Sequence, residues 1–294
     1  MTPDELEDAL RRAGYLPNRE TSIAVSLALA LSRPLFVEGP PGVGKTELAL
    51  AAATALDRQL VRLQCYEGLD ESRVLFEWDH AKQILATQLL REAVARDLSG
   101  LSTVEAAQKL AALEGAFFDR RYLIARPVLR ALLSETPAVL LVDEVDRADP
   151  ELEALLLEVL ASNEISIPEL GTLRAVHPPL VLLTSNGTRD MTDALRRRCL
   201  HLFLEHPTAE REIAIVLARV PGIDRALVAR VVELVGKLRT LELKKAPSPS
   251  ETVDFARALL VMARSELDRK TVDELLPVLV KYAADRDRAR KALG

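Results

Sequence analysis

The sequence predicts an α/β fold, with a parallel sheet packed between helices and an all-helical region after it. Three observations predict this. Short apolar runs recur at 34–38, 137–143 and 179–184, with a further strand at 59–65, and apolar runs of that length are the mark of strands buried in a parallel sheet. The first run leads into Gly39-Pro40-Pro41-Gly42-Val43-Gly44-Lys45-Thr46, and residues 47–53 beyond it are rich in strong helix formers. Strand, glycine loop and helix in that order form a phosphate-binding unit. From His206 onward the pattern contains helices only.

The composition agrees. Of the 294 residues, 49% are hydrophobic, enough for a sizeable core, while aromatics are only 4%. The dominance of Leu and Ala favours helices over a β-sandwich. A formal net charge of −5 gives no general electrostatic attraction to nucleic acid or to an anionic membrane. The two cysteines, Cys65 and Cys199, lie outside any metal spacing, which suits a reduced intracellular compartment. The acidic start, Met1 to Asp8, is unlike a signal peptide. The apolar run 23–31 contains Ser26 and is too short to span a bilayer. The expectation is therefore a cytoplasmic protein without membrane insertion.

Taken in order, residues 4–13 read as a helix with Leu6 and Leu10 four apart, and 14–18 break it. Residues 20–31 form a second, strongly apolar helix. Tyr15 or Leu16 either lines an apolar slot for a nucleotide base or packs the N-terminal helix. Residues 66–78 mix aromatics and charges without periodicity and read as a loop. Its Trp78 is the single tryptophan of the chain; either the loop's aromatics face a ring's pore or Trp78 packs the next helix. Residues 81–97 read as an amphipathic helix and 103–113 as a short one. Residues 122–133 read as another, with Arg126 and Arg130 on one face.

Beyond the strand at 137–143, residues 151–162 place Leu152, Leu155, Leu156, Val159 and Leu160 on one helical stripe. Residues 163–168 and 173–176 pair as a β-hairpin. A strand at 179–184, a short helix at 192–198 and a last strand at 200–204 follow. A boundary falls at His206-Pro207-Thr208, with Thr208 as helix cap. It divides a nucleotide-binding αβα domain over 1–205, carrying the hairpin insert at about 163–176, from a helical domain over 206–294. The second domain should hold helices at 209–219, 224–239, 250–266 and 270–285, and a charged, fraying end at 285–291.

The chemistry starts at the loop. Gly39–Thr46 fits G-x-x-x-x-G-K-[ST] at every fixed position. Its glycines let backbone N–H groups turn toward phosphate oxygens, and the following helix adds its positive dipole end. Lys45 reaches the β- and γ-phosphates of a nucleotide such as ATP, and Thr46 ligates Mg²⁺. In such an enzyme Asp143, closing a buried strand, holds the metal. Glu144 beside it orients and deprotonates the attacking water. Asn186 at the tip of the neighbouring strand hydrogen-bonds the γ-phosphate or that water, or is simply a good loop residue. Arg196-Arg197-Arg198 are too many for one helix face. They serve a nucleotide site, in which case a neighbouring molecule can supply the guanidinium, or they form a solvated basic patch or salt bridges.

These residues together resemble an AAA+ ATPase. The phrases Asp143-Glu144-Val145-Asp146-Arg147-Ala148, Ile167-Pro168-Glu169-Leu170-Gly171 and Leu183-Thr184-Ser185-Asn186 look like the MoxR family. Gln64-Cys65-Tyr66-Glu67-Gly68-Leu69 and Asp193-Ala194-Leu195-Arg196-Arg197-Arg198-Cys199 are similar to its CoxD-type branch. The resemblance spans about residues 15–265.

It implies a P-loop NTPase αβα sandwich with an all-helical AAA+ lid, ATP and Mg²⁺ as ligands, and a chaperone-like ATPase in a homo-oligomeric ring, a hexamer. It further implies a protein client and a partner with a von Willebrand factor A domain, often in metalloenzyme maturation. By position, Lys45 and Thr46 bind phosphate and metal, Asp143 holds the metal, Glu144 is the base and Asn186 the first sensor. The arginine finger falls on Arg198, with Arg197 the alternative. One departure stands out: where the family's lid offers a second sensor arginine, this chain reads Ser248-Pro249-Ser250-Glu251. Either the coupling of lid to nucleotide is altered, or another cation such as Lys245 takes the place. Two rival readings remain, a nucleic-acid motor and a nucleotide-gated scaffold that barely hydrolyses.

Overall fold

The computed structural model describes residues 1–105, 108 and 118–293. Its centre is a parallel sheet of β1 (Leu35–Glu38), β2 (Gln59–Gln64), β5 (Ala138–Asp143), β8 (Leu180–Ser185) and β9 (Leu200–Phe203) in the order β2-β5-β8-β1-β9. Every pairing is parallel. All six residues of β5 and of β8 are buried, which is why those segments lack the alternation of a half-exposed strand. The order brings three strand ends side by side: β1 feeds the glycine loop, β8 ends at Ser185 just before Asn186, and β5 ends at Asp143. The carboxyl edge of a parallel sheet is where such folds hold ligands.

Both faces of the sheet are covered. On one lie α1 (Pro3–Arg12), α2 (Arg19–Leu31) and α3 (Lys45–Ala55), whose buried Leu6, Leu10, Val25 and Leu48 join Leu35, Val37, Val139 and Leu141 in one apolar cluster. On the other lie α6 (Pro127–Leu132) and α7 (Pro150–Ser162), whose Val128, Leu129, Leu152, Leu156 and Val159 meet Phe36, Leu140, Val142 and Leu183. The short α8 (Asp193–Arg198) adds Leu195 to that cluster. The even and odd residues of each strand thus serve opposite faces. The α7 stripe packs as its periodicity predicts, and the chain then turns through Asn163 in the left-handed region (φ 53°). It continues into the antiparallel hairpin β6 (Glu164–Ile167) and β7 (Gly171–Arg174).

The rest of the chain is helical: α9 (Ala209–Arg219), α10 (Arg225–Arg239), α11 (Pro249–Val261), α12 (Arg269–Leu279) and α13 (Ala283–Leu293). These helices bury Val216, Val228, Val231, Val235, Phe255, Leu259 and Leu276 in a third cluster. Its polar centre is Glu212, buried against a two-pronged contact from Arg239 (2.7 and 2.8 Å) and the Thr252 hydroxyl (2.6 Å). A fork-to-fork guanidinium–carboxylate pair with a third donor is the arrangement that lets a carboxylate be buried.

The structure departs from the expectations in several places, among them the helix expected at 270–285, which ends at Leu279 before a separate helix begins at Ala283. Residues 66–78 are not all loop: α4 (Glu71–Val74) and β3 (Phe76–Trp78) form there. Residues 122–133 are not one helix, because β4 (Leu123–Ala125) pairs antiparallel with β3 before α6 begins at Pro127. The helix over 81–97 exists as α5 (His80–Leu98), but none of its residues is buried, so no apolar face packs as an amphipathic pattern requires. The charged end is α13, anchored by buried Ala289 and by Asp285, which accepts from the Lys244 backbone N–H at 2.9 Å. The helix expected at 103–113 lies largely outside the described residues. Trp78 stacks edge-on against Phe118 at 5.2 Å and Phe76 at 6.1 Å, whereas Tyr66 is exposed.

Candidate active site

The glycine loop, Gly39–Gly44, lies between β1 and α3, and Lys45 and Thr46 open α3. Gly42 has φ 75°, and a Cβ placed on it would overlap the Ser248 side chain. Only glycine allows both this backbone and this close approach of α11. The approach is reinforced by the Ser250 hydroxyl, which donates to the Gly42 carbonyl at 3.2 Å.

Lys45 is buried at 7% exposure. Its ammonium donates to the Gly39 carbonyl (2.6 Å), the Pro40 carbonyl (2.8 Å) and Asn186 Oδ1 (2.8 Å). Burial lowers its pKa, against the opposing pull of the Asp146, Asp143, Glu144 and Glu38 carboxylates. Three directed contacts aim the charge along the loop.

Asp143 is 3% exposed, and its oxygens are shared among several donors. The Thr46 hydroxyl lies at 3.0 and 3.2 Å, the Thr184 hydroxyl at 2.5 Å and Arg62 Nη2 at 2.6 Å. Glu144 follows in the left-handed region (φ 55°, ψ 50°). A non-glycine residue held there marks a strained backbone of the kind found at functional sites. Its carboxylate meets Gln64 Nε2 at 3.1 Å, Arg147 Nε at 3.1 Å and Asn186 Nδ2 at 3.4 Å. One asparagine therefore touches both Lys45 and Glu144.

Arg62, Gln64, Asp146, Arg147, Thr184 and Thr188 belong to this network but carried no role in the sequence reading. Asp146, 4% exposed, accepts from Asn186 N–H (3.2 Å), Thr188 N–H (3.0 Å) and the Thr188 hydroxyl (2.6 Å). Burial pushes its carboxyl up, but these hydrogen bonds outweigh burial and hold it below the usual range. Arg62 and Gln64 reach Asp143 and Glu144 because β2 pairs with β5 in a register that sets Gln64 opposite Asp143. Arg147 reaches back to Glu144 from the next turn. The spacing of Asp146 from the acidic pair was visible in the sequence, whereas the β2–β5 register was not.

A cavity of about 650 Å³ opens beside the loop and is lined by Tyr15, Leu16, Gly42–Gly44 and residues of α9 and α11. Tyr15 packs in the α1–α3 cluster and also lines the cavity. Burial pushes its phenol up to about 12. Arg211, Arg219 and Arg257 stand on the wall. Arg211 donates to the Leu16 carbonyl at 2.8 Å, and Arg219 pairs with Glu47. Lys245 does not line the cavity and lies 3.5 Å from Glu251, while Arg257 on α11 lines it and lies 3.6 Å from Asp254.

The three arginines separate. Arg196 lies 3.5 Å from Glu38, on its own subunit. Arg197 and Arg198 are exposed. Neither side chain has a hydrogen-bond or ion-pair partner among the described residues.

A glycine loop with the start of α11 packed against it, an acidic strand end and an asparagine, joined in one network, agree with what comparison finds. The sequence model of the AAA domain (dynein-related subfamily) matches residues 34–199. The chain belongs to this family. It is 29% identical to the gas vesicle ATPase GvpN2 of Halobacterium salinarum over 286 residues, covering 88% of this chain and 76% of that protein. It is 28% identical to the gas vesicle ATPase GvpN of Haloferax mediterranei over 222 residues, 72% of this chain but 58% of that protein. Similarity to Protein NorQ of Paracoccus denitrificans is 24% over 235 residues, 78% of this chain and 73% of that protein. Among solved structures, a RuvB mutant of Thermotoga maritima shares the fold with a TM-score of 0.51 at 15% identity, over 88% of this chain and 67% of that one.

At family level these similarities support the MoxR-type AAA+ resemblance and ATP hydrolase activity. The donor set of this AAA domain fits Mg²⁺. Thr46 Oγ1 and Asp143 are hard oxygen donors already converging within 3.0–3.2 Å. No cluster of three or more His, Cys, Asp or Glu that could hold a metal occurs among the described residues. Mg²⁺ is commonly held by one or two protein oxygens together with substrate phosphates rather than by a protein cage. Among the described residues no helix is long and apolar enough to cross a membrane. Both thiols, Cys65 and Cys199, are buried, which pushes each up to about 12 and leaves them unreactive.

Proposed function

We propose that this protein is a MoxR-type AAA+ ATPase of the CoxD-like branch that hydrolyses ATP to remodel or mature a client protein complex. The observation that carries the reading is the network of Lys45, Asn186, Glu144, Asp143 and Thr46 at the carboxyl edge of the sheet, joined through the Thr184 hydroxyl, which donates to Asp143 and accepts from the Glu144 N–H. It holds a phosphate-neutralising cation, a metal-ligating pair and a carboxylate base within one hydrogen-bonded group. In the division of labour we infer, Gly39–Thr46 cradle the phosphates and Lys45 neutralises their charge. Thr46 and Asp143 hold Mg²⁺, which when bound neutralises charge on the β- and γ-phosphate oxygens. Glu144 takes the proton of the attacking water as the new bond forms, and Asn186 orients that water or the γ-phosphate.

Arg198, or Arg197 beside it, is offered to the site of a neighbouring subunit in a ring, a hexamer. Its solvent-facing, unpaired side chain supports that role. Residues 1–205 form the nucleotide-binding domain and 206–294 the lid, a division supported by their separate apolar clusters. The protein works in the cytoplasm. Action on a protein assembly draws support from relatives whose names join an ATPase to gas vesicles. A partner with a von Willebrand factor A domain, and metalloenzyme maturation, rest on the MoxR resemblance. The net charge of −5 gives a nucleic-acid motor no support.

The test is a trap. Glu144→Gln, loaded with ATP and isolated from cells, should retain a specific protein that Lys45→Ala does not. Recovery of the same proteins, or of nucleic acid alone, with both variants would refute action on a protein client.

A further inference from the structure

Arg197 and Arg198 lack side-chain partners among the described residues, so their direction is set by the backbone that carries them. That backbone is held from outside its own helix. Arg33 Nη2 donates to the Arg197 carbonyl at 2.9 Å and the Cys199 carbonyl at 3.3 Å, and Arg33 Nε to the Arg198 carbonyl at 3.2 Å. The Arg196 carbonyl accepts from the Cys199 N–H at 3.2 Å and lies 2.9 Å from the His201 ring nitrogen. Every carbonyl from 196 to 199 is therefore engaged. The anchor is itself fixed. Arg33 follows Ser32 in the left-handed region, its N–H donates to the Ala28 carbonyl at 3.1 Å, and Leu200 N–H donates to the Pro34 carbonyl at 2.8 Å. The guanidinium presents its donors in a rigid planar fork, whereas a lysine ammonium is a single rotating point that holds no such fixed geometry.

We propose that Arg33 is a positioning residue for the arginine finger: it locks the end of α8 so that Arg198, or Arg197, projects at a fixed angle toward the neighbouring subunit's nucleotide. This rests on the reading of that pair as a finger acting in trans. Arg33 stands at the entry to β1, the strand that runs into the phosphate loop of its own subunit. The guanidinium offered outward is thus fastened next to the strand that feeds the glycine loop of its own subunit.

The experiment uses the full chain carrying Arg33→Met or Arg33→Lys, with Arg198→Ala, Arg197→Ala and Lys45→Ala as references. Arg33→Met should assemble and bind a fluorescent ATP analogue normally, with KM little changed. Its kcat should fall roughly ten- to hundredfold, the scale of loss from a displacement of about 1 Å at a reacting centre. Arg33→Lys should fall between it and the wild type. Mixed with Lys45→Ala subunits, which bind no ATP but carry an intact finger and anchor, Arg33→Met should regain activity. Mixed with the defective finger variant it should regain none, because neither subunit then supplies a well-placed guanidinium.

A wild-type kcat, loss of ATP binding in place of kcat, or no recovery with Lys45→Ala would each overturn the proposal. If Arg33→Met does not assemble, Arg33→Gln takes its place in the mixing test; failure of every substitution to assemble would make Arg33 a support of the fold alone and also overturn it. Should Arg198→Ala and Arg197→Ala both hydrolyse at the wild-type rate, the finger reading falls and this proposal with it. A defective finger variant beside a normal Arg33→Met removes this proposal alone.

Discussion

Replacing Glu144 by glutamine changes almost nothing but the capacity to take a proton. The side chain keeps its length, and the left-handed backbone at φ 55° is no worse for glutamine than for glutamate. Its carboxylate is about one-third exposed and its partners are Gln64, Arg147 and Asn186. Contacts of that exposure contribute at most about 1 kcal/mol, so the variant should unfold within a few degrees of the wild type, as a domain of this size does for such a change. The chemical step is another matter. A positioned general base contributes roughly 10²–10⁴ in rate, about 3–5 kcal/mol of barrier at 1.36 kcal/mol per tenfold. Single-turnover hydrolysis by quenched flow, beside nucleotide binding and thermal melting, separates the two effects. ATP should bind with unchanged affinity and be cleaved at least about a hundredfold more slowly. Cleavage at the wild-type rate, or a fall explained by lost binding or lost folding, would refute Glu144 as the base.

Two further outcomes follow from the same network. Burial lowers the Lys45 pKa, and the ammonium must be charged to hold phosphate, so ATP affinity should decline as pH rises, starting below the ordinary lysine range near ~10.4; affinity that stays flat to that range, measured by titration calorimetry, contradicts the burial argument. Asp146→Ala strands the Asn186 and Thr188 N–H groups that Asp146 satisfies, so stability should fall by about 1–3 kcal/mol in urea melts. Hydrolysis should fall with it as Asn186 loses its anchor, and a melt identical to the wild type would show that Asp146 is not structural.

How far the sequence reached depends on what kind of signal each element carries. The phosphate loop, β5 and β8 were legible because glycines at fixed positions and unbroken apolar runs seldom arise in any other kind of structure. The β3–β4 pair was not, because two three-residue strands separated by more than forty residues have no local period. Pro127, at the first position of α6, did mark where that helix starts and β4 must end. The terminal helix α13 was hidden by its charges, since Arg290 and Asp273 pair across helices at 3.5 Å, where a charge run normally faces solvent. In the site, Lys45, Asp143, Glu144 and Asn186 came together as expected, while Arg62 and Gln64 entered through strand register. That register follows from side chains on the whole sheet, so no short window of sequence contains it.

The central claim is that a site built from one subunit is completed by an arginine from the next. It is tested most directly by measuring ATP hydrolysis per subunit across a dilution series, with particle mass recorded at each concentration. The account predicts activity per subunit that rises as rings form, and an Arg198→Ala protein (or Arg197→Ala, if that residue is the finger) that forms rings without the rise. Activity per subunit that stays constant from monomer to ring would contradict it.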